Sequence, residues 1–222
     1  MRLISHDAQV AYGNNASVDR FVSIDRLNRF LFTRPPRSAS LDDAAIHECG
    51  HLVAFEAENL IAWSAKINGG SNGHEWCGLA QRARDFGSYV DAPHFLAEAR
   101  ATLAGPIAEE LLSQSGSLAS SIAELVGARI CVERAAELLF VDPESLWIKT
   151  VREAAALVER YAKEIEALAE LLEKRKKITA SSPSVRKILK RVQGGVSASC
   201  TISPQAQHAC DDIIRLVAEV SP

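Results

Sequence analysis

The sequence predicts a mainly α-helical protein with one small β-hairpin, and three observations carry that expectation. Hydrophobic residues make up 47% of the 222-residue chain but aromatics only 6%. The core must then be built from Ala, Leu, Val and Ile, a mixture that favours packed helices over aromatic-rich strands. Long segments repeat their apolar residues at helical spacing. One cluster, Asn68-Gly69-Gly70-Ser71-Asn72-Gly73, separates two alternating segments and tolerates the positive φ of a chain reversal.

Residues 1–37 read as an N-terminal arm, with a short helix over Ser23 to Phe32 stopped at Pro35-Pro36, where neither residue has a backbone N–H to donate. The body is expected over 38–192. Its first helix opens at Ser40 as N-cap, with Asp42 and Asp43 in the first turn, and runs to about Leu60. The hairpin follows. A second helix begins after Asp91-Ala92-Pro93 and carries apolar residues at Leu96, Ala99, Leu103 and Ile107, with a bend expected at Gly105-Pro106. Ser121-Ile122-Ala123-Glu124 has the spacing of a capping box and opens a helix to about Phe140.

Asp142-Pro143-Glu144 then starts a long helix to about Lys174, and Lys174 to Lys177 are its basic last turn, favourable against the helix dipole. Ser182-Pro183-Ser184 starts a short helix toward Val192. Residues 193–222 are a flexible link followed by an amphipathic helix, Pro204 to Val220, placed to dock on the body or to meet a partner.

Composition excludes several functions. With 25 basic against 28 acidic residues the formal charge is -3, so no bulk positive charge is present to hold a polyphosphate backbone, and no nucleic-acid partner is expected. The five cysteines, at 49, 77, 131, 200 and 210, are odd in number and form no CxxC pair, which reads as a reduced, cytoplasmic protein. No apolar run approaches the roughly 18 to 20 residues of a bilayer span, so no membrane segment is expected.

One constellation carries chemistry. His47-Glu48-Cys49-Gly50-His51 is an HExxH match inside the first helix. Residues four apart share a helix face, so His47 and His51 can direct both imidazoles at one metal ion. Zn²⁺ suits nitrogen and oxygen donors and acidifies a water, and Glu48 beside that face is placed to act as general base. Two histidines and a glutamate could instead form a polar stripe. The flanking Ala44, Ala45, Ile46, Leu52 and Val53 argue for burial, however, and buried histidines without partners cost several kcal/mol. Cys49, two positions from each histidine, should face away and pack in the core. His74 beside the turn reads as a surface residue.

The runs AAIHECGHLVAF, ARATLAGPIAEELL and YAKEIEALAELLEKRKKIT, in this order with a hairpin after the first, resemble the peptidase domain of FtsH-type ATP-dependent zinc metalloproteases. The likeness covers roughly Ser40 to Val192. It implies a helical zincin-like domain with His47 and His51 as zinc ligands, Glu48 as base, and an acidic third ligand near the start of the helix after the AEEL run. The family's Asn-Asp pair is replaced there, and the nearby carboxylate is Glu124, which is read equally well as a helix cap. Glu109 and Glu110 match family positions that support the ligands. Pro106 and Ile107 depart from the family pattern.

The resemblance further implies that an edge strand of the hairpin receives a polypeptide substrate, with Trp63, Trp76 and Leu79 lining shallow pockets or merely packing the hairpin. It also raises a homo-oligomer or a separate ATPase as partners, because the sequence contains no phosphate-binding GxxxxGK[ST] loop. Two functions follow: a zinc metalloendopeptidase, or a noncatalytic peptide-binding or regulatory relative.

Overall fold

The structure, a computed structural model, describes residues 39–69, 76–82, 91–113, 116–192 and 201–220. The N-terminal arm, the centre of the hairpin turn with His74, and the link 193–200 lie outside the described residues.

Helix α1 (Leu41–Ala57) starts where the sequence places it. Ser40 Oγ accepts from the Asp43 backbone N–H at 3.1 Å, and Asp43 Oδ2 accepts from the Ser40 N–H at 2.9 Å. This reciprocal pair satisfies two otherwise orphaned donors. The helix ends at Ala57 rather than Leu60. Asn59 and Ile61 both take positive φ, 58° and 52°, and turn the chain out of the helix into the sheet.

Strands β1 (Ala62–Gly69) and β2 (Trp76–Arg82) form the expected antiparallel hairpin. A third strand, β3 (Lys177–Thr179), was not foreseen. It pairs antiparallel with β1, giving the order β2-β1-β3. Lys176, at φ 60°, ends the preceding helix and turns the basic run into this strand, whose Ile178 is buried.

Helix α2 (Ala92–Leu112) is capped by Asp91, which accepts from the His94 N–H at 2.9 Å. It continues through Pro106, which lacks the N–H that would otherwise bond back to Thr102. A short 3₁₀ turn, Leu118–Ser121, leads into α3 (Ile122–Leu139). Ser121 makes no side-chain capping bond, so the expected capping box does not form. The expected long helix is two, α4 (Pro143–Arg160) and α5 (Ala162–Arg175), separated at the buried Tyr161 (φ -112°, ψ 21°). The break lets α4 pack on α2 while α5 packs on α1, which one straight rod could not do. Helices α6 (Pro183–Leu189) and α7 (Pro204–Val220) complete the body. α7 lays Ala206, Cys210, Ile213 and Val217 against α4, α2 and α3.

At the centre lies α1, which contacts α2, α5, β1 and β2. It is buried along almost its whole length, including Cys49 at 0% exposure. Its contact with α2 is close because Gly50 carries no side chain: a Cβ there would sit 2.6 Å from the Ala104 carbonyl oxygen and 2.8 Å from Ala108 Cβ. A bidentate clamp adds to it. Arg100 on α2 donates to both Glu58 oxygens at 2.7 and 2.6 Å and to Glu153 on α4 at 3.1 Å. Among the described residues no helix is long and apolar enough to cross a membrane.

Candidate metal centre

His47 and His51 lie one turn apart on α1, facing the groove between α1, α2 and the start of α3. Each ring is oriented by an acceptor on its Nδ1. His47 Nδ1 is 2.8 Å from Glu109 Oε2 on α2, and His51 Nδ1 is 2.8 Å from the Ala101 carbonyl oxygen on the same helix. A carbonyl oxygen only accepts, so His51 carries its proton on Nδ1. The Glu109 carboxylate places the proton of a neutral His47 likewise. Both Nε2 atoms then present lone pairs to the same point.

The two Nε2 atoms are 3.1 Å apart, and Glu124 Oε2 lies 3.1 Å from the first and 3.5 Å from the second. A tetrahedral ion with ligands at 2.0–2.1 Å has ligand–ligand edges of about 3.3–3.4 Å. The triangle is therefore the size that a small tetrahedral cation spans. Three lone-pair donors this close repel one another unless a proton or a cation lies among them. His47, His51 and Glu124 could hold a metal ion.

The electrostatics agree with a site built for positive charge. Burial alone would depress His47, but the Glu124 charge, with hydrogen bonds to Glu109 and Glu124, raises it well above the usual histidine range. Burial pushes Glu124 up, yet the charge of His47 and its hydrogen bond to the carboxylate outweigh it and hold Glu124 far below its ordinary range. Without a metal, a proton on His47 thus fills the role of the cation. Glu48 is governed by burial, which raises it, against opposing effects of His47, His51 and a hydrogen bond from the Ala80 N–H.

Two glycines make the room. A Cβ at Gly105 on α2 would come within 2.5 Å of His51 Cε1, and a Cβ at Gly78 on β2 within 2.5 Å of Glu48 Cδ. Glu48 therefore lies flat on the backbone of β2, an edge strand. Trp76 N–H on that strand donates to the Ala39 carbonyl at 3.2 Å. By the two-residue period of a strand, the N–H groups of Trp76, Gly78 and Ala80 share one edge.

Of the residues singled out from the sequence, His47, His51 and Glu124 converge, and Glu48 lies beside them against β2. Trp76 is half-buried, with Lys176 Nζ 4.5 Å over its ring, and Leu79 is exposed on β2. Trp63 stands on β1, 60% exposed, its carbonyl bonded to the Ala180 N–H at 2.8 Å, and lines a different cleft. Glu110 is half-buried and takes no part among the described contacts of the histidines. The Ala101 carbonyl, Gly78 and Gly105 went unnoticed as parts of the site. A glycine within a strand, and one within a helix before proline, are signals of close approach that would have pointed to the last two.

Comparison of the chain with protein-family models and with curated proteins gives no match.

Proposed function

We propose that the protein is a zinc-dependent endopeptidase acting on flexible polypeptide. The single observation that carries this reading is the convergence of His47 Nε2, His51 Nε2 and Glu124 Oε2, with both Nδ1 atoms already engaged. The donor set, two imidazoles and a carboxylate, is the one that catalytic zinc sites use while keeping a position open. When bound, zinc supplies Lewis-acid polarisation of a carbonyl and acidification of a water.

The chain's own residues do the rest. Glu109 and the Ala101 carbonyl hold the two rings in the tautomer that leaves Nε2 free to ligate. Glu48, raised by burial and steadied by the Ala80 N–H, accepts a proton at a carboxylate oxygen from the attacking water and returns it to the leaving amine. The edge of β2 offers Gly78 N–H between the engaged groups of Trp76 and Ala80, which favours a substrate backbone laid alongside the strand, with Leu79 and Trp76 near its side chains. The resemblance to FtsH-type peptidase domains supports the same roles for His47, Glu48 and His51.

Metal analysis of protein purified without chelator should give about one zinc per chain, and Glu48→Gln should retain zinc while losing hydrolysis of an unfolded protein such as casein. Protein that holds no zinc even after zinc is added would overturn the reading. Zinc bound without hydrolysis of any unfolded substrate would instead favour a noncatalytic peptide-binding module.

A further inference from the structure

A second cleft, of about 660 Å³, opens beside the start of β1 and the end of β3. Its lining shows two apolar side chains to solvent, Ile61 at 54% and Trp63 at 60% exposure. Ile61 is held there by a left-handed backbone, φ 52°, which a β-branched residue rarely adopts. The turn from α1 into β1 fixes this conformation and leaves Ile61, like Trp63, exposed at the cleft.

The same lining holds Lys177, Arg186 and Lys190, all exposed and none in an ion pair among the described residues. The lining carries one carboxylate, Glu56, against these three cations. They come from a stretch, residues 174–191, that holds eight Lys and Arg and no Asp or Glu, in a chain whose formal charge is -3. Others of the eight have partners: Lys174 lies 3.7 Å from Glu170, Arg175 donates to Ser184 Oγ at 3.1 Å, and Lys176 lies over Trp76. The turn at Lys176 and the short helix α6 bring three of the remaining five, Lys177, Arg186 and Lys190, to one cleft, where like charges repel unless an anion joins them.

A bare phosphate needs no indole, and an apolar peptide needs no group of cations. An aromatic face beside a cationic cleft is the arrangement that takes a base by stacking and its phosphates by charge. We propose that this cleft binds a nucleoside phosphate, its base on Trp63 and Ile61 and its phosphates on Lys177, Arg186 and Lys190, with the Thr179 hydroxyl within the same lining. The proposal does not rest on the peptidase reading. The same chemistry is offered by a free nucleotide and by a single-stranded nucleic acid, and the test separates them.

The full chain is titrated, without added divalent ions, with ATP, inorganic tripolyphosphate, a twelve-nucleotide oligo-dA and a glutamate-rich peptide of equal length, following tryptophan fluorescence and heat. ATP should bind about tenfold or more tighter than tripolyphosphate, the difference being the stacked base. Trp63→Ala should bring ATP down to the level of tripolyphosphate and leave tripolyphosphate itself unchanged. Arg186→Glu with Lys190→Glu should weaken both by about tenfold or more, with metal content unaltered. Oligo-dA binding tighter than ATP identifies a single strand as the ligand, and equal or weaker binding identifies the free nucleotide.

Glu124→Ala should bind ATP as the parent protein does, and loss of binding there would assign the phosphates to the metal centre and overturn the proposal. It is equally overturned if ATP binds no tighter than tripolyphosphate, if Trp63→Ala has no effect, or if the acidic peptide is the only ligand.

Discussion

The carboxyl of Glu48 lies directly against the backbone of Gly78, so that a side chain at position 78 would have to occupy the space of Glu48 Cδ. The proposed base is thereby positioned by the edge strand as well as by its own helix. Gly78→Ala should push Glu48 aside while leaving His47, His51 and Glu124 undisturbed. We expect peptide hydrolysis to fall about a hundredfold, the order of loss that a misplacement of about 1 Å produces, with zinc content unchanged. Full activity in this variant would remove the positioning role of Gly78.

Gly105 and Gly50 make contrasting predictions from the same helix pair. In Gly105→Ala the new methyl meets the imidazole of His51, which can rotate away from Ala101, so zinc affinity should fall about ten- to a hundredfold with a small loss of stability. In Gly50→Ala it meets the main chain of α2 at Ala104, which cannot swing aside. That overpacking should cost about 1–3 kcal/mol in urea unfolding of the metal-free protein. Equal stability loss in the two variants would contradict the distinction.

Among the described residues, Glu109 reaches the metal centre through His47. Glu109→Ala should lower zinc affinity about ten- to a hundredfold, and Glu109→Gln, which keeps an acceptor oxygen for Nδ1–H, should recover part of the loss. Competition with a chromophoric chelator measures both. A purely structural Glu109 would lose stability in the two variants alike, without that recovery in affinity.

Glu124 rises from a helix whose first turn is anchored in the core by Ile122 and Leu125, buried to 1% and 0% exposure. Glu124→Asp withdraws the carboxylate by one methylene and the anchored backbone cannot follow. Zinc should bind about tenfold or more weakly despite the retained charge. Unchanged affinity would show that the carboxylate at position 124 does not ligate.

Arg100 joins the end of α1 to α2 and α4, and its neighbour Ala101 orients His51. Removing it leaves the Glu58 carboxylate, 9% exposed, without its bidentate partner. Arg100→Met should destabilise the fold by about 3–5 kcal/mol in urea unfolding. A loss below 1 kcal/mol would mean that Glu58 finds water instead.

Much of this protein is local and therefore legible along the chain. The Ser40 cap, the HExxH face and the amphipathic α7 depend on neighbours within about four residues, and periodicity and capping rules read such contacts directly. The composition, rich in small aliphatic residues and poor in aromatics, likewise determined a mainly helical body.

What the sequence left undecided were partners distant along the chain. Glu124 matched a capping box and a ligand equally well; the packing of α3 against α2 turned it to the histidines, 77 residues from His47. The proton positions of both rings depend on Glu109 and on a backbone carbonyl that no pattern of side chains reveals. The break at Tyr161 and the pairing of Lys177–Thr179 with β1 follow from where each half must pack, since neither segment carries a local stop or strand signal. Residue types thus determined which groups could bind a metal, and tertiary contacts decided which lone pairs meet, because a coordination site is defined by distances that the linear chain does not contain.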